Sequence, residues 1–312
     1  MTATAETIKI VTDIAPIHSL VSQVAGDKAD VALLLEQGAD PHHYSLKPSQ
    51  AKELENSDMV FWIGHELTPW LEKGVETLAI GATVVSLLHA EGTNHIEASE
   101  HHHHDHDEHE EHDEAKHDEH DEDKHDDHEE HAEEKGEHGE EMGIDAHAWL
   151  DPVNAQTWLG VIAAELSTQD PANADLYKSN AAAAAEELSA LITEINDSYA
   201  LPHDIPGILS HDFLGYFETR FDIELLEPLK SHDDEALGLG ELTEAKEHAK
   251  EDGAKCLLYT PDEAPESFAN FNEGLDLKLV PIDQLGAGQP IGSDLYNATL
   301  RGIADSLKAC IS

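Results

Sequence analysis

Between Glu100 and Glu141 the chain is almost wholly histidine and acid, opening with His101-His102-His103-His104-Asp105-His106-Asp107, and it holds more than half of the 24 histidines. With almost no apolar residues, this segment cannot repay the entropy of ordering its backbone and cannot join a core. The fold has to be built from what flanks it, and the segment itself reads as a mobile loop, about residues 89–142 with its shoulders. Neutral imidazole is the commonest protein ligand for zinc, copper and nickel, and neighbouring carboxylates add oxygen ligands and cation-attracting charge. His101, His102, His103, His104, His106, His109, His112, His117 and His120 are therefore candidate auxiliary metal sites. Each is expected to be weak, since every ion bound must also order flexible chain. A purification tag would sit at a terminus and lack the interleaved acids, which leaves an inert acidic spacer as the bland alternative.

The rest of the 312 residues are also acidic, and the formal net charge is -50. Such a surface repels nucleic acid and anionic lipid and draws in cations through its long-range field. No apolar run approaches the length of a membrane span. The start, Met1-Thr2-Ala3-Thr4-Ala5-Glu6-Thr7, lacks the basic and apolar stretches of a signal peptide, so the chain reads as a mature form carrying an added Met1. A mature secreted chain would place Cys256 and Cys310 in an oxidising compartment, where a disulfide makes sense; two buried free thiols are the alternative. Neither cysteine has a partner at C-x-x-C spacing, which argues against a redox or structural-zinc motif.

The length allows two medium domains. Strand-like Ile8 to Asp13 precedes a helix from about Pro16 to Ala25, on which Ile17, Leu20, Val21 and Val24 keep helical spacing. Val31 to Leu35 is an unbroken apolar run suited to a buried parallel strand. Pro48 opens another helix, and Met59 to Ile63 and Thr83 to Leu87 read as strands. Beyond the acidic segment, Asp151-Pro152 is a helix start. The stretch from Asn173 to Tyr199, rich in Ala, Glu and Leu and free of Gly and Pro, predicts one long helix. Strands follow at 208–210, 224–228, 257–260 and 277–282, and a last helix at about 294–310. This order predicts an α/β fold of two lobes, each with a mainly parallel sheet flanked by helices. The expected division is an N-terminal lobe at 1–168, a long rigid connecting helix at 169–201 and a C-terminal lobe at 202–312.

Four polar residues stand where strands end, the place where ligands gather in open α/β sheets. They are His42 in Gly38-Ala39-Asp40-Pro41-His42-His43-Tyr44, His147 in Asp145-Ala146-His147-Ala148-Trp149-Leu150-Asp151-Pro152, His211 in Leu209-Ser210-His211-Asp212, and Asp283 after Leu279-Val280-Pro281-Ile282. Two come from each lobe, so a shared ligand would lie in the cleft between them. Three imidazoles and a carboxylate make a good tetrahedral zinc set. Taken singly, each histidine is more often a surface or capping residue.

Gly38 through Ser49, the His147-to-Pro152 segment, Ser210-His211-Asp212-Phe213-Leu214-Gly215-Tyr216-Phe217 and Pro281-Ile282-Asp283-Gln284-Leu285-Gly286 resemble, in order and across the whole chain, the signature blocks of the metal-specific (cluster A-I) solute-binding proteins of bacterial ABC importers. The His-rich acidic insertion and the Cys256/Cys310 pair are similar to the zinc-specific branch. The resemblance implies two α/β lobes bridged by one long helix, with Zn2+ in the cleft. It also implies a periplasmic location, a cognate permease in the inner membrane and a monomer. His42, His147 and His211 match the imidazole ligands; Asp283 matches the carboxylate position, which water can take instead in zinc-type members. The manganese members resemble a set with a carboxylate in place of His211, and nitrogen-rich coordination favours zinc over manganese. His43 departs from the commoner acidic residue at its position, but neighbours on an extended turn point apart.

Three functions compete. A zinc-capturing importer component leads. A zinc hydrolase would need a base near the ion, for which Asp145 and Asp212 could be nominated, though capping and support of the imidazoles explain both. A metal buffer would make the His-rich segment the point of the molecule.

Overall fold

The computed structural model describes residues 7–98, 143–230 and 237–312. In the first half, β1 (Ile8–Thr12), α1 (Ala15–Ala25), β2 (Ala29–Leu33), α2 (Pro48–Glu55), β3 (Met59–Trp62), α3 (Pro69–Leu78) and β4 (Thr83–Ser86) alternate along the chain. All four strands are parallel, in the order β2-β1-β3-β4. Parallel strands need crossovers, and the intervening helices supply them. After the histidine-rich segment come α4 (Pro152–Gln169) and α5 (Ala174–Glu194), packed side by side. The second half repeats the scheme with β5 (Asp204–Leu209), α6 (Gly215–Phe221), β6 (Glu224–Leu226), α7 (Leu239–Glu251), β7 (Cys256–Tyr259), α8 (Ala269–Asn272), β8 (Lys278–Pro281) and α9 (Leu295–Cys310). Its sheet is again parallel, in the order β6-β5-β7-β8. In both halves strand order reverses next to the first strand, so each sheet has a crevice beyond its carboxyl edge.

The first sheet packs its outer face on α2 and α3, around Leu54, Val60, Trp62 and Leu71. The second packs its outer face on α7 and α8, around Ala249, Leu257, Phe268 and Phe271. The inner faces meet one continuous core that runs from Ile10 and Phe61 through Trp158, Tyr177 and Leu188 to Leu209, Leu258 and Ile303. Helices α1, α4, α5 and α9 fill this middle layer, and α1 of the first half packs on α9 of the second.

Several strand boundaries differ from those expected: β5 begins at Asp204 and not at 208, and β6 ends at Leu226 and not at 228. The ladder of β2 begins at Ala29, paired with Ile8, and ends at Leu33 opposite Thr12. The apolar run to Leu35 continues only as single bonds from the Leu34 and Leu35 amides to Thr12 and Asp13. Hydrophobicity marks burial, and the ladder is set by where β1 offers partners. The long helix is α-helical only to Glu194; Ile195–Tyr199 is a π turn, ended by Ala200 in a left-handed conformation with φ 48°. At the join, Glu194 makes a two-pronged ion pair with Arg301 of α9.

Cys256, at the start of β7, is bonded to Cys310, at the end of α9. The bridge crosses the backbone of Gly207 in β5 so closely that a Cβ there would lie 3.1 Å from both sulfurs and from a Leu225 methyl. A side chain there would have to press the sulfurs and the Leu225 methyl aside by a few tenths of an ångström. No helix among the described residues is long and apolar enough to cross a membrane.

A three-histidine candidate metal site

His42 stands on the loop that follows β2. Its loop is held from several sides: the Trp70 indole donates to the Pro41 carbonyl at 2.8 Å, and Tyr44 packs on the Trp70 ring with centroids 5.0 Å apart. Asp40 accepts the backbone N–H of His42 at 2.7 Å. Gln37 reaches across to the second half, donating to the Gln289 carbonyl at 2.8 Å.

His147 immediately precedes the short 3-10 turn Ala148–Leu150 that leads into α4. One oxygen of Asp145 accepts both the backbone N–H of His147, at 2.9 Å, and its ring Nδ1, at 2.7 Å. That bond assigns the proton to Nδ1 and leaves Nε2 with a free lone pair. Nε2 is buried and has no hydrogen-bond partner among the described residues. Behind it, the Trp149 indole donates to the Gln284 carbonyl at 2.9 Å and Tyr296 donates to the Trp149 carbonyl at 2.6 Å, tying the turn to the second half.

His211 follows β5, whose pairing with β7 is extended by the Ser210 amide to the Leu258 carbonyl at 2.8 Å. Phe213 packs on the His211 ring with centroids 4.9 Å apart and also faces His147 at 6.2 Å.

These three residues, from loops far apart in sequence, converge. Ring centroids are 5.3 Å apart for His42 and His147, 6.4 Å for His42 and His211, and 6.2 Å for His147 and His211. One ligating nitrogen from each lies within 4.8 Å of the others. His147 and His211 are buried, and Trp149 and Phe213 wall the site with aromatic surface. Burial, and then the neighbouring His147, hold the His42 imidazole at about 4, well below its ordinary value. A ring kept neutral at physiological pH is ready to ligate. Three imidazole nitrogens set in a shielded pocket suit zinc.

Asp283 does not join this group. Its carboxylate is taken up by its own loop: Oδ1 accepts the Ala287 amide at 2.9 Å and Oδ2 the Gly288 amide, also at 2.9 Å. The loop so shaped carries the Gly286 and Gln289 carbonyls that Gln37 reaches. His43 is not part of this group, and its Nδ1 lies 2.9 Å from an oxygen of Asp40. The auxiliary histidines His101 to His120 lie outside the described residues.

Sequence reasoning gave the three imidazoles. It read Asp151 as a helix start only; Asp151, buried at the start of α4, accepts the Val153 amide at 2.9 Å and also binds Arg220 of α6 through two bonds of 2.7 Å. The N-cap was legible; its partner 69 residues away was not.

The profile of one family, described as "Zinc-uptake complex component A periplasmic", matches residues 10–310. The chain is 40% identical to the high-affinity zinc uptake system protein ZnuA of Paracoccus denitrificans (strain Pd 1222), over 99% of this chain and 93% of that protein. It is 36% identical to the protein of the same name from Brucella suis biovar 1 (strain 1330), over 97% of this chain and 91% of that one. In fold it is similar to a crystal structure of a ZnuA deletion mutant with zinc bound, with a TM-score of 0.74 at 20% identity, over 98% of this chain and 99% of the other. A chain that matches this profile along nearly all its length, and keeps three imidazoles together at the meeting of two parallel sheets, belongs to the ZnuA family of periplasmic zinc-uptake components.

Proposed function

We propose that this chain is the zinc-capturing component of an ABC importer: it binds one Zn2+ tightly in the cleft, in the periplasm, and delivers it to a cognate permease in the inner membrane. The ion is cargo and not a resident cofactor. The observation that carries this reading is the convergence of His42, His147 and His211 from loops of both halves, within 4.8 Å at their ligating atoms. An all-nitrogen set favours zinc over the oxygen-preferring manganese. Asp145 supports the reading as well, since its bonds to the ring and amide of His147 occupy it in orienting a ligand. A hydrolytic base would need to face an attacking water. The relatives named for high-affinity zinc uptake point the same way.

In this reading the chain acts as a monomer with lobes at 1–168 and 202–312, joined through 169–201. Water or a carboxylate completes the coordination, and Asp283 would have to give up its loop amides to serve. The test is zinc affinity, by competition with a chelator of known strength, for His42→Ala, His147→Ala and His211→Ala. Loss of a primary ligand should exceed the roughly 10–100-fold cost of losing a supporting residue. Full affinity in all three variants would refute the assignment. His211→Glu should move preference toward manganese, and an unchanged zinc-to-manganese ratio would count against the donor-hardness argument.

A further inference from the structure

A second histidine cluster lies on the first sheet, apart from the cleft ligands. His65 and Glu66 follow β3, and His89 follows β4, so both sides of the cluster rise from the carboxyl ends of neighbouring parallel strands. The two imidazoles stack with centroids 6.2 Å apart and planes inclined by 15°. Glu66 sits between them, with Oε1 2.6 Å from Nε2 of His89 and Oε2 3.4 Å from Nδ1 of His65. One ligand atom from each of the three residues lies within 4.8 Å of the others.

The carboxylate is built in. Gly64 has φ 155°, and a Cβ there would fall 2.5 Å from Oε2 of Glu66 and 3.1 Å from the Ser86 hydroxyl. A side chain at position 64 would therefore push Glu66 out of place, so the glycine is what lets the carboxylate fold back under the loop. Glu66 is 19% exposed while the rings above it are 59% and 46% exposed. Its Oε2 is buried and makes no hydrogen bond among the described residues. With His65 Nδ1 3.4 Å away and no hydrogen bond formed, this buried carboxylate oxygen is poorly satisfied unless a cation draws close. The 2.6 Å contact with His89 satisfies one oxygen, and the second, 3.4 Å from His65, is left without a hydrogen bond. By contrast, the group His203, Asp204 and Glu224 has carboxylates 91% and 73% exposed and no such held oxygen.

We propose that His65, Glu66 and His89 form a second metal site, for a divalent transition ion of the zinc, nickel or copper class. Two nitrogens and one carboxylate leave coordination positions open to water, and the rings face solvent, so the site is weaker than the cleft and exchanges quickly. Binding requires the 2.6 Å contact between Glu66 and His89 to open, because tetrahedral zinc ligands 2.0–2.1 Å from the metal stand roughly 3.3 Å apart. The separation of Glu66 from His65 already fits. This site does not depend on the cleft assignment, and it can stand or fall alone.

The experiment is residue-resolved histidine modification by diethyl pyrocarbonate, read by peptide mass spectrometry on the full chain across a zinc titration. His248, an exposed histidine with a Glu227 oxygen 3.7 Å away, is the internal reference. His65 and His89 should become protected together, at a zinc concentration at least about tenfold below that protecting His248, as expected when three ligands cooperate in place of one. Glu66→Gln should move both midpoints toward that of His248. Protection of either ring only at the reference concentration, separate midpoints for the two rings, or an unchanged midpoint in Glu66→Gln would each overturn the proposal. The first two readings need no variant, so a folding defect in Glu66→Gln cannot rescue the idea.

Discussion

At the scale of single residues, the proposed zinc site depends on groups that are not themselves among its three imidazoles. Asp145 holds the His147 ring through Nδ1 and fixes its backbone at the same time. Replacing it with alanine frees the ring to rotate or change tautomer, so Asp145→Ala should weaken cleft zinc binding by about 10–100-fold with little loss of fold. Chelator competition beside a thermal melt separates the two effects, and unchanged affinity would deny Asp145 its positioning role. The three imidazoles were legible because each sits in a distinctive sequence block, His42 and His211 past a strand and His147 just before a helix start. The fate of Asp283 was not. Its position is right, but whether a carboxylate faces the ion or its own loop amides depends on the path of residues 285–288, which carries no local signal. The His65, Glu66 and His89 group was invisible for a plainer reason. Nothing in the sequence joins residues 23 apart until β3 and β4 are seen to be neighbours.

At the scale of elements, most of the alternation of strands and helices was readable; α3 between β3 and β4 was not singled out, and the other misses are at ends, where partner geometry outweighs composition. The long helix does reach Tyr199, but nothing in Ile195-Asn196-Asp197-Ser198-Tyr199 announces that its last turn is a wider π turn, and the Glu194–Arg301 pair at its start is a tertiary contact. The disulfide is an element-scale device too. It joins β7 to α9 across a sequence separation of 54 residues, for which the chain-entropy account gives about 4 kcal/mol of stabilisation. Replacing both cysteines by alanine should lower the unfolding free energy by roughly that amount in urea titrations and leave cleft affinity close to normal, because neither residue is near the three imidazoles. A loss under about 1 kcal/mol would mean the crossing over Gly207 strains the native sheet as much as it restrains the unfolded chain.

At the scale of the whole molecule, the continuous core is what distinguishes this arrangement from two lobes on a flexible linker. Helices α1, α4, α5 and α9 belong to one apolar layer with the inner faces of both sheets. The halves are also stitched by Trp149 to Gln284, Tyr296 to Trp149, Ser19 to Ser293 and Arg220 to Asp151. A wide hinge would have to open that core, so metal exchange should move the ligand loops and not the lobes. Spin labels at Glu76 on α3 and Glu244 on α7, both exposed on the outer faces, report the separation directly. Their distance distribution should be the same with and without zinc, and a shift of several ångströms on zinc removal would contradict a stiff middle layer.

The central claim is that the transport site is complete without the histidine-rich segment. Ala98 and Gly143 are joined by a backbone hydrogen bond of 2.8 Å, and Glu97 pairs with Ile144, so the chain leaves and returns at one point and residues 100–141 can be removed without stretching the neck. The decisive measurement is a zinc titration of the intact chain beside one lacking 100–141, read by chelator competition. The account predicts one tight site of nearly unchanged affinity in both and the loss of most weak binding from the shortened chain. Disappearance of the tight site with the segment would show that its histidines supply primary ligands, and that His42, His147 and His211 are not by themselves the seat of capture.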